Sequence, residues 1–199
     1  MCKKEVIIVG TGGHGRVIAD IIKLSKDTVF GFLDDNINSD IDILGTTDDY
    51  IKFKDKYFII AIGDNSIRKK LAEKFEGIKY YTAIHPASVI ADSVTIKEGT
   101  AVMAGAVINN SAKIGRHCII NSDSTIEHDC KISDFCHISP GAVLCGTVNT
   151  GSGVWIGARA VVKNNLTITH NVTVGAGGVV VKNIEESGVY TGIPCKRIK

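Results

Sequence analysis

The sequence predicts a small α/β domain followed by a parallel β-helix, and two observations support this prediction. Residues 7–16 read IIVGTGGHGR, an apolar strand that runs into a glycine-rich loop, as in the first half of a Rossmann-like fold. From Ile90 onward an aliphatic residue recurs every six positions, a period typical of parallel β-helices. The change of pattern divides the 199-residue chain into predicted domains at 1–82 and 83–199.

Strand-like runs that alternate with helical patterns predict a small parallel sheet in the first domain. The predicted strands are 6–9, 29–33 and 57–62, and the predicted helices are 16–24, 47–53 and 66–75. Because ligands bind at the carboxyl ends of parallel strands, the loops 10–15, 34–36 and 63–65 together form a candidate site. Glycines let a phosphate approach the backbone, and a following helix N-terminus favours its charge. The first domain has the size of half a dinucleotide-binding fold, which predicts that it binds one nucleotide.

The six-residue period continues without insertion to residue 185, and only Thr150 replaces an aliphatic residue in it. Each unit predicts a short strand and a turn, and three units close one triangular coil. The aliphatic residue points into the prism, and a small residue four positions later fits near a corner. Cys118, Cys130 and Cys136 occupy this small position, which predicts a packing role for them.

The overall composition excludes several other classes of protein. The formal net charge is +2 without a dense basic run, which does not suggest nucleic acid as the main partner. The six cysteines form no C-x-x-C pair, so neither a zinc site nor a disulfide framework is expected. No apolar stretch is long enough to span a membrane, and the N-terminus does not read as a signal peptide. The sequence therefore predicts a cytoplasmic protein without a metal.

His128 is the candidate catalytic residue of the β-helix. It lies outside the prism and is followed by Asp129, and Gly146 comes eighteen residues later, one coil away on the same edge. The two backbones are therefore expected about 4.8 Å apart. A general base beside an open backbone N–H is the minimal arrangement for acyl transfer. Cys130 as a nucleophile is the alternative, but its register turns the thiol inward.

The sequence gives weaker evidence of a functional role for the remaining histidines. His137 lies half a coil beyond His128, so it can join that site only from a neighbouring prism. His14 lies inside the glycine loop and is expected to face the ligand of that loop. His117 and His170 fall at turn positions and are expected to be exposed to solvent.

Several motifs together extend over both domains. They are GTGGHG (10–15), LDD (33–35), IAIGDNSIRKK (60–70), IHPAS (84–88), IEHDC (126–130), HISPGA (137–142) and TGIPCKRI (191–198). With these motifs the chain resembles the bacterial sugar O/N-acyltransferases, which join a nucleotide-binding domain to a left-handed β-helix. Within this family it is most similar to the bacillosamine branch, whose members acetylate the 4-amino group of a UDP-linked amino-dideoxy sugar with acetyl-CoA. The sialic-acid O-acetyltransferases and the perosamine N-acetyltransferases are relatives.

The resemblance implies roles for individual residues. The residues implied to bind the nucleotide sugar are Gly12, Gly13 and His14 at the diphosphate and sugar, Asp34 and Asp35 at the uridine, and Gly63, Asn65 and Arg68 around the pocket. The residues implied to contact acetyl-CoA are His137, Gly146, Ala158 and Ala176. The family is trimeric with its active sites between subunits. Bacillosamine enzymes carry Glu where this chain has Asp129, so the role of this acid remains open.

The expected function is N-acetylation of a UDP-linked amino-dideoxy sugar, with His128 as general base and the N–H of Gly146 as oxyanion donor. Acetylation of a sialic acid hydroxyl, or of an amino sugar on a GDP or dTDP carrier, is the alternative within acyl transfer. Two interpretations from other classes are an NAD-binding redox sensor on a structural β-helix and an inactive assembly module. The small size of the first domain and the histidine–glycine pair argue against the redox sensor, and the inactive module is equally disfavoured.

Overall fold

The structure is a computed structural model that describes residues 3–36 and 41–199. The chain divides into two compact units, Met1–Pro86 and Ala87–Lys199, which are described separately below. In the described part of the chain no helix has the length and apolarity that crossing a membrane requires.

The first unit is a parallel sheet with helices between its strands. Its elements are β1 (Glu5–Val9), α1 (Gly13–Leu24), β2 (Thr28–Leu33), a 3₁₀ helix (Thr47–Phe53), β3 (Tyr57–Ile60), α2 (Asn65–Lys74), β4 (Lys79–Tyr80) and a short strand, Ala83–Ile84. The sheet order is β2-β1-β3-β4, with every pairing parallel. All the predicted elements are present, but α1 begins three residues earlier than predicted, because Gly12 is its N-cap.

The core of this unit explains why these runs form strands and helices. Residues 6–9 of β1 are fully buried, as expected for a central parallel strand that is covered on both faces. The apolar face of α1, with Ile18, Ile21 and Ile22, is also buried. This packing brings the loops after β1, β2 and β3 to one edge of the sheet.

The second unit is the predicted β-helix, with three faces of short parallel strands. One face contains Ala101–Val102, Ile119–Ile120, His137–Ile138, Trp155–Ile156, Val172–Val174 and Gly188–Thr191, followed by the antiparallel Lys196–Arg197. The next contains Val89–Ile90, Val107–Ile108, Thr125–Ile126, Val143–Leu144, Val161–Val162 and Val179–Val180. The last contains Thr95–Ile96, Lys113–Ile114, Lys131–Ile132, Asn149–Thr150 and Thr167–Ile168.

The interior of the prism confirms the six-residue register. Each strand pairs with the strand one coil further on, as in Ile120 with Ile138, so identical inward positions stack along the axis. Cys118, Cys130 and Cys136 are at most 1% exposed and belong to this core as free thiols, as predicted. Cys2 lies outside the described residues.

The turns of the β-helix share one backbone feature that cannot be predicted from the sequence. One residue in each turn has a positive φ, from Gly99 at 72° to Gly177 at 66°, at intervals of six. Glycine adopts this left-handed conformation freely, and Asn and Asp adopt it more easily than other residues. Asp129, with φ of 60°, belongs to this series, so its backbone conformation is a property of the fold.

Candidate active site

The glycine loop after β1 has two glycines that shape it and two that leave it open. Gly10 has a φ of 111°, and a Cβ on Gly15 would collide with the carbonyl oxygen of Gly10. A Cβ on Gly12 would meet nothing within 4 Å, and one on Gly13 would meet only the end of the Arg16 side chain at 3.9 Å. The space beside Gly12 and Gly13 is therefore open to a ligand.

The two helices of the first unit differ at their N-termini. Gly12 caps α1 without any side-chain hydrogen bond, so the backbone N–H groups of its first turn remain available to an anion. The carboxylate of Asp64 caps α2 and accepts hydrogen bonds from the N–H groups of Ser66 and Ile67 at 2.8 and 2.9 Å. Of these two helices, α1 is therefore the one whose N-terminus is suited to a phosphate.

The two aspartates after β2 both accept internal hydrogen bonds. Asp34 accepts from the N–H and the hydroxyl of Thr11 at 2.7 and 2.6 Å, and from the N–H of Asn36 at 2.9 Å. Asp35 accepts from the N–H and the hydroxyl of Thr47 at 2.8 and 3.2 Å. Burial raises the pKa of Asp34, but the hydrogen bonds from Thr11 and Asn36 outweigh burial, and its pKa lies below the usual value.

Arg68 is 1% exposed and supports the loop after β3 from within. Its guanidinium donates to the carbonyls of Ile62 and Gly63 at 2.8 and 3.2 Å, and to the side-chain oxygen of Asn65 at 2.7 Å. The family resemblance implies that Arg68, Gly63 and Asn65 lie together, and the structure brings these three residues into contact. The buried guanidinium shapes this loop, whereas Gly63 has open space where a Cβ would lie.

His14 lies at the first turn of α1, and its Nε2 is buried without a hydrogen-bond partner among the described residues. Burial, and to a smaller extent the charge of Arg68, lowers the pKa of His14 to about 4. The imidazole is therefore neutral at physiological pH and offers one unused polar atom within the glycine loop.

In the second unit the structure brings His128, Asp129 and Gly146 together as predicted. Nδ1 of His128 lies 2.8 Å from Oδ2 of Asp129, which leaves Nε2 directed away from the carboxylate. The imidazole lies against Gly146, where a Cβ would come within 2.6 Å of Nε2. The N–H of Thr147 donates to the carbonyl of His128 at 2.9 Å and fixes the backbones of the two coils.

The N–H of Gly146 has no hydrogen-bond acceptor in the described part of the chain. The side chains of His128 and Asp129 are 59% and 57% exposed, so a substrate can reach the pair. An accessible imidazole nitrogen beside an unused backbone donor can accept a proton while the donor stabilises an oxyanion.

Three of the four predicted coenzyme contacts line one groove on the face that carries His137. The groove has a volume of about 420 Å³, and His137, Trp155, Ala158 and Ala176 are among the residues that line it. The rings of His137 and Trp155 stack with centroids 5.2 Å apart, and the Trp155 indole donates to the hydroxyl of Ser139 at 2.8 Å. The N–H groups of Ala158 and Ala176 have no acceptor among the described residues.

Gly146 lies outside this groove, on the same corner of the prism as His128. Trp155, the only tryptophan of the chain, was missed by sequence reasoning although it lies one coil beyond His137 at the same register position. The expectation that His117 is exposed is wrong: it is 2% exposed and stacks on Phe135 at 5.2 Å, because its turn position is covered. No cluster of three or more metal-ligating side chains occurs among the described residues.

Profiles of two protein families match the chain. One is the PglD N-terminal domain, which matches residues 5–75, and the other is the bacterial transferase hexapeptide (six repeats), which matches residues 111–146.

Among solved structures, PerB from Caulobacter crescentus, in complex with CoA and GDP-perosamine, is 34% identical with a TM-score of 0.94, over 100% of this chain and 99% of that one. The acetyltransferase domain of PglB from Neisseria gonorrhoeae, in complex with acetyl coenzyme A, is 32% identical with a TM-score of 0.92, over 99% of this chain and 100% of that one. The chain therefore belongs to the family of bacterial sugar acyltransferases that join a PglD-type N-terminal domain to a left-handed hexapeptide β-helix.

A curated relative, the UDP-N-acetylbacillosamine N-acetyltransferase of Bacillus subtilis strain 168, is 39% identical over 110 residues. This alignment covers 48% of the chain and 50% of the relative, so the chain spans about half the length of that protein. The family assignment and the two-part fold inferred from the sequence are thereby confirmed.

Proposed function

We propose that the protein transfers the acetyl group of acetyl-CoA to the amino group of a nucleotide-linked amino-deoxy sugar. The observation that carries this proposal is the pair formed by His128 and Gly146, in which an accessible imidazole lies beside an unused backbone N–H. The ligands and substrates of the related proteins, namely CoA, acetyl-CoA and amino sugars on nucleotides, support it.

The proposed reaction follows from this geometry. The sugar amine attacks the thioester carbonyl of acetyl-CoA, and Nε2 of His128 accepts the proton that the new C–N bond releases. The oxygen of the tetrahedral intermediate takes the negative charge and accepts a hydrogen bond from the N–H of Gly146. The C–S bond then breaks, and the leaving thiolate receives the proton from His128. Asp129 holds the tautomer in which Nδ1 carries hydrogen and Nε2 is free.

Each unit has a feature that suits one substrate. In the first unit the open N-terminus of α1 suits the diphosphate, and Gly12, Gly13 and Gly63 have open space where a Cβ would lie. In the second unit the groove of His137 and Trp155 suits the pantetheine arm of CoA, because it is largely apolar and offers backbone donors at Ala158 and Ala176.

We further propose a UDP carrier and acetylation of the 4-amino group, as in the bacillosamine branch. A GDP carrier is the second candidate, because PerB, crystallised with GDP-perosamine, matches essentially the whole chain. The exposed Asp35 keeps acceptor capacity for either nucleoside, so the carrier is decided by experiment.

The test is a thiol-release assay with acetyl-CoA and UDP-, GDP- or dTDP-linked 4-amino sugars, with sialic acid in parallel and the product identified by mass spectrometry. The expected result is thiol release and the mass gain of one acetyl group on the UDP sugar. Turnover only with the GDP-linked sugar would establish GDP as the carrier. No thiol release with any acceptor would contradict the proposal. His128→Ala is expected to lower kcat about 100-fold or more, whereas the exposed His170→Ala serves as the matched control.

We propose that the active assembly is a homotrimer, in which His137 of one copy approaches His128 of another. Within one chain the two histidines lie on different sides of the prism, one on a strand face and one at a corner. Light scattering should give a trimer mass. Mixing inactive His128→Ala and His137→Ala chains during refolding should restore part of the activity only if the two residues act across copies.

A further inference from the structure

The loop that carries Gly12 and Gly13 is held by a single carboxylate. Oδ2 of Asp34 accepts both the N–H and the hydroxyl of Thr11, at 2.7 and 2.6 Å, and Oδ1 accepts the N–H of Asn36 at 2.9 Å. A carboxylate oxygen has about two lone-pair sites, so Oδ2 has no acceptor site left for a ligand. Thr11 is 6% exposed, which shows that these bonds lie beneath the loop surface.

Thr11 directly precedes the two glycines that leave the loop open. Glycine has no side chain that could anchor it, so the direction of the N–H groups in this loop depends on the residues on either side. Both residues that precede the two glycines are held by the end of β2: Gly10 donates its N–H to the carbonyl of Leu33 at 2.9 Å, and Thr11 is bound by Asp34. The end of β2 therefore determines the shape of the loop after β1.

The neighbouring Asp35 differs from Asp34 in both respects. Its two oxygens each accept one hydrogen bond from Thr47, so each keeps a free acceptor site, and its side chain is exposed. Asp35 can therefore contact a ligand with both oxygens, whereas Oδ2 of Asp34, the oxygen that holds Thr11, is occupied by the chain itself.

We propose that Asp34 is a positioning residue, whose Oδ2 holds Thr11 so that the backbone N–H groups of the glycine loop converge on the diphosphate of the acceptor. This inference rests on the proposed function only for the identity of the ligand. The lowered pKa of Asp34 agrees with it, because the bonds from Thr11 and Asn36 keep the carboxylate charged at neutral pH.

The first test measures the loop without any ligand. Asn has one acceptor oxygen instead of two, so Asp34→Asn cannot hold both Thr11 and Asn36. We expect amide hydrogen exchange in peptides that cover residues 10–15 to become about tenfold faster in this variant. Asp20→Asn, an exposed change on α1, is the matched control and should leave that exchange unchanged. Wild-type exchange in Asp34→Asn would overturn the proposal.

The second test is a double-mutant cycle on nucleotide affinity, measured by calorimetry with UDP and GDP on the full chain. We expect Asp34→Asn to weaken binding about tenfold and Thr11→Val several-fold, with the double variant no weaker than Asp34→Asn alone. If Thr11→Val binds like the wild type, or if the two effects simply add, Asp34 does not act through Thr11 and the proposal fails. If the wild type binds neither nucleotide, the proposed acceptor site fails, and the exchange experiment still decides separately whether Asp34 holds the loop.

Discussion

The imidazole of His128 lies directly against the backbone of Gly146, one coil further along the β-helix. A Cβ at position 146 would lie 2.6 Å from Nε2 and 2.7 Å from Cε1 of His128, which is closer than real Cβ contacts. Gly146 does not have a positive φ, so its lack of a side chain serves this contact and not a backbone conformation.

Gly146→Ala is therefore expected to lower kcat about 100-fold while the fold is retained. The new methyl group must displace the imidazole from the backbone N–H that we propose as the oxyanion donor. The measurement is kcat and KM for both substrates, together with the unfolding midpoint. Asn164→Ala, an exposed change one coil further on the same corner, should leave kcat unchanged. Wild-type kcat in Gly146→Ala would exclude this glycine from the reaction.

Asp129 has two properties that different substitutions can separate. Its carboxylate contacts His128, and its φ of 60° belongs to the turn. Asp129→Asn keeps an acceptor oxygen and tolerates the left-handed backbone, so we expect kcat to fall about tenfold with unchanged thermal stability. Asp129→Ala should in addition lower the free energy of unfolding by about 1 kcal/mol. If kcat in Asp129→Asn equals the wild type, Asp129 is only a turn residue.

The lowered pKa of His14 leads us to expect that the stability of the first unit depends on pH. Its pKa is about 4 in the folded protein, below the ordinary 6.5, so the unfolded chain takes up a proton first as the pH falls. The contribution of neutral His14 is complete above pH 6.5 and is lost as the pH falls from there toward 4. Over this window His14→Gln should lose less stability than the wild type, by up to about 3 kcal/mol.

The measurement is the urea concentration at which α1 unfolds, determined at each pH. Amide exchange in Gly13–Leu24 is the probe of its unfolding. His170→Gln, which changes an exposed histidine of the second unit, should follow the wild-type curve. Parallel curves for His14→Gln and the wild type would show that His14 titrates normally in the folded protein.

The sequence was sufficient for the β-helix and for the corner of His128, because both follow from register. A period of six assigns every residue to a face, a corner or the interior, so the burial of Cys130 and the pairing of His128 with Gly146 follow from position alone. The left-handed conformation of each turn was not predictable in the same way, since bulky residues such as Phe135 adopt it as well.

The first unit was less predictable, because its side-chain contacts join distant parts of the chain. Asp34 bonds to Thr11 across 23 positions, and nothing in the sequence distinguishes such a contact from one with a nucleoside. Arg68 is charged and was expected to contact the ligand. It is buried instead, and its guanidinium donates to three acceptors of the chain itself. Charged residues are rarely fully buried, so the residue type alone favours a solvent-exposed position for Arg68, and this expectation is wrong.

Thr150 is the only interruption in the aliphatic series, and its replacement tests how the prism is stabilised. It is 4% exposed and stacks between Ile132 and Ile168 in the coils on either side. Among the described residues its hydroxyl makes two weak contacts: 3.4 Å to the thiol of Cys136, which is a weak hydrogen-bonding group, and a long 3.4 Å to the N–H of Ser133. A hydroxyl with such poor hydrogen bonds gains little in an otherwise apolar column.

We expect Thr150→Val to raise the free energy of unfolding of the second unit by about 1 kcal/mol. No partner is left unsatisfied, because the Cys136 thiol also lies 3.2 Å from the carbonyl of Gly151, and the Ser133 N–H also donates to the carbonyl of residue 150 at 3.3 Å. The measurement is urea unfolding of the full chain, with the second unit followed by the emission of Trp155. The reciprocal Val162→Thr, at a fully buried position of the same register, should destabilise by about 1–3 kcal/mol. A loss of stability in Thr150→Val would show instead that the threonine hydroxyl holds the corner beside Cys136 in place.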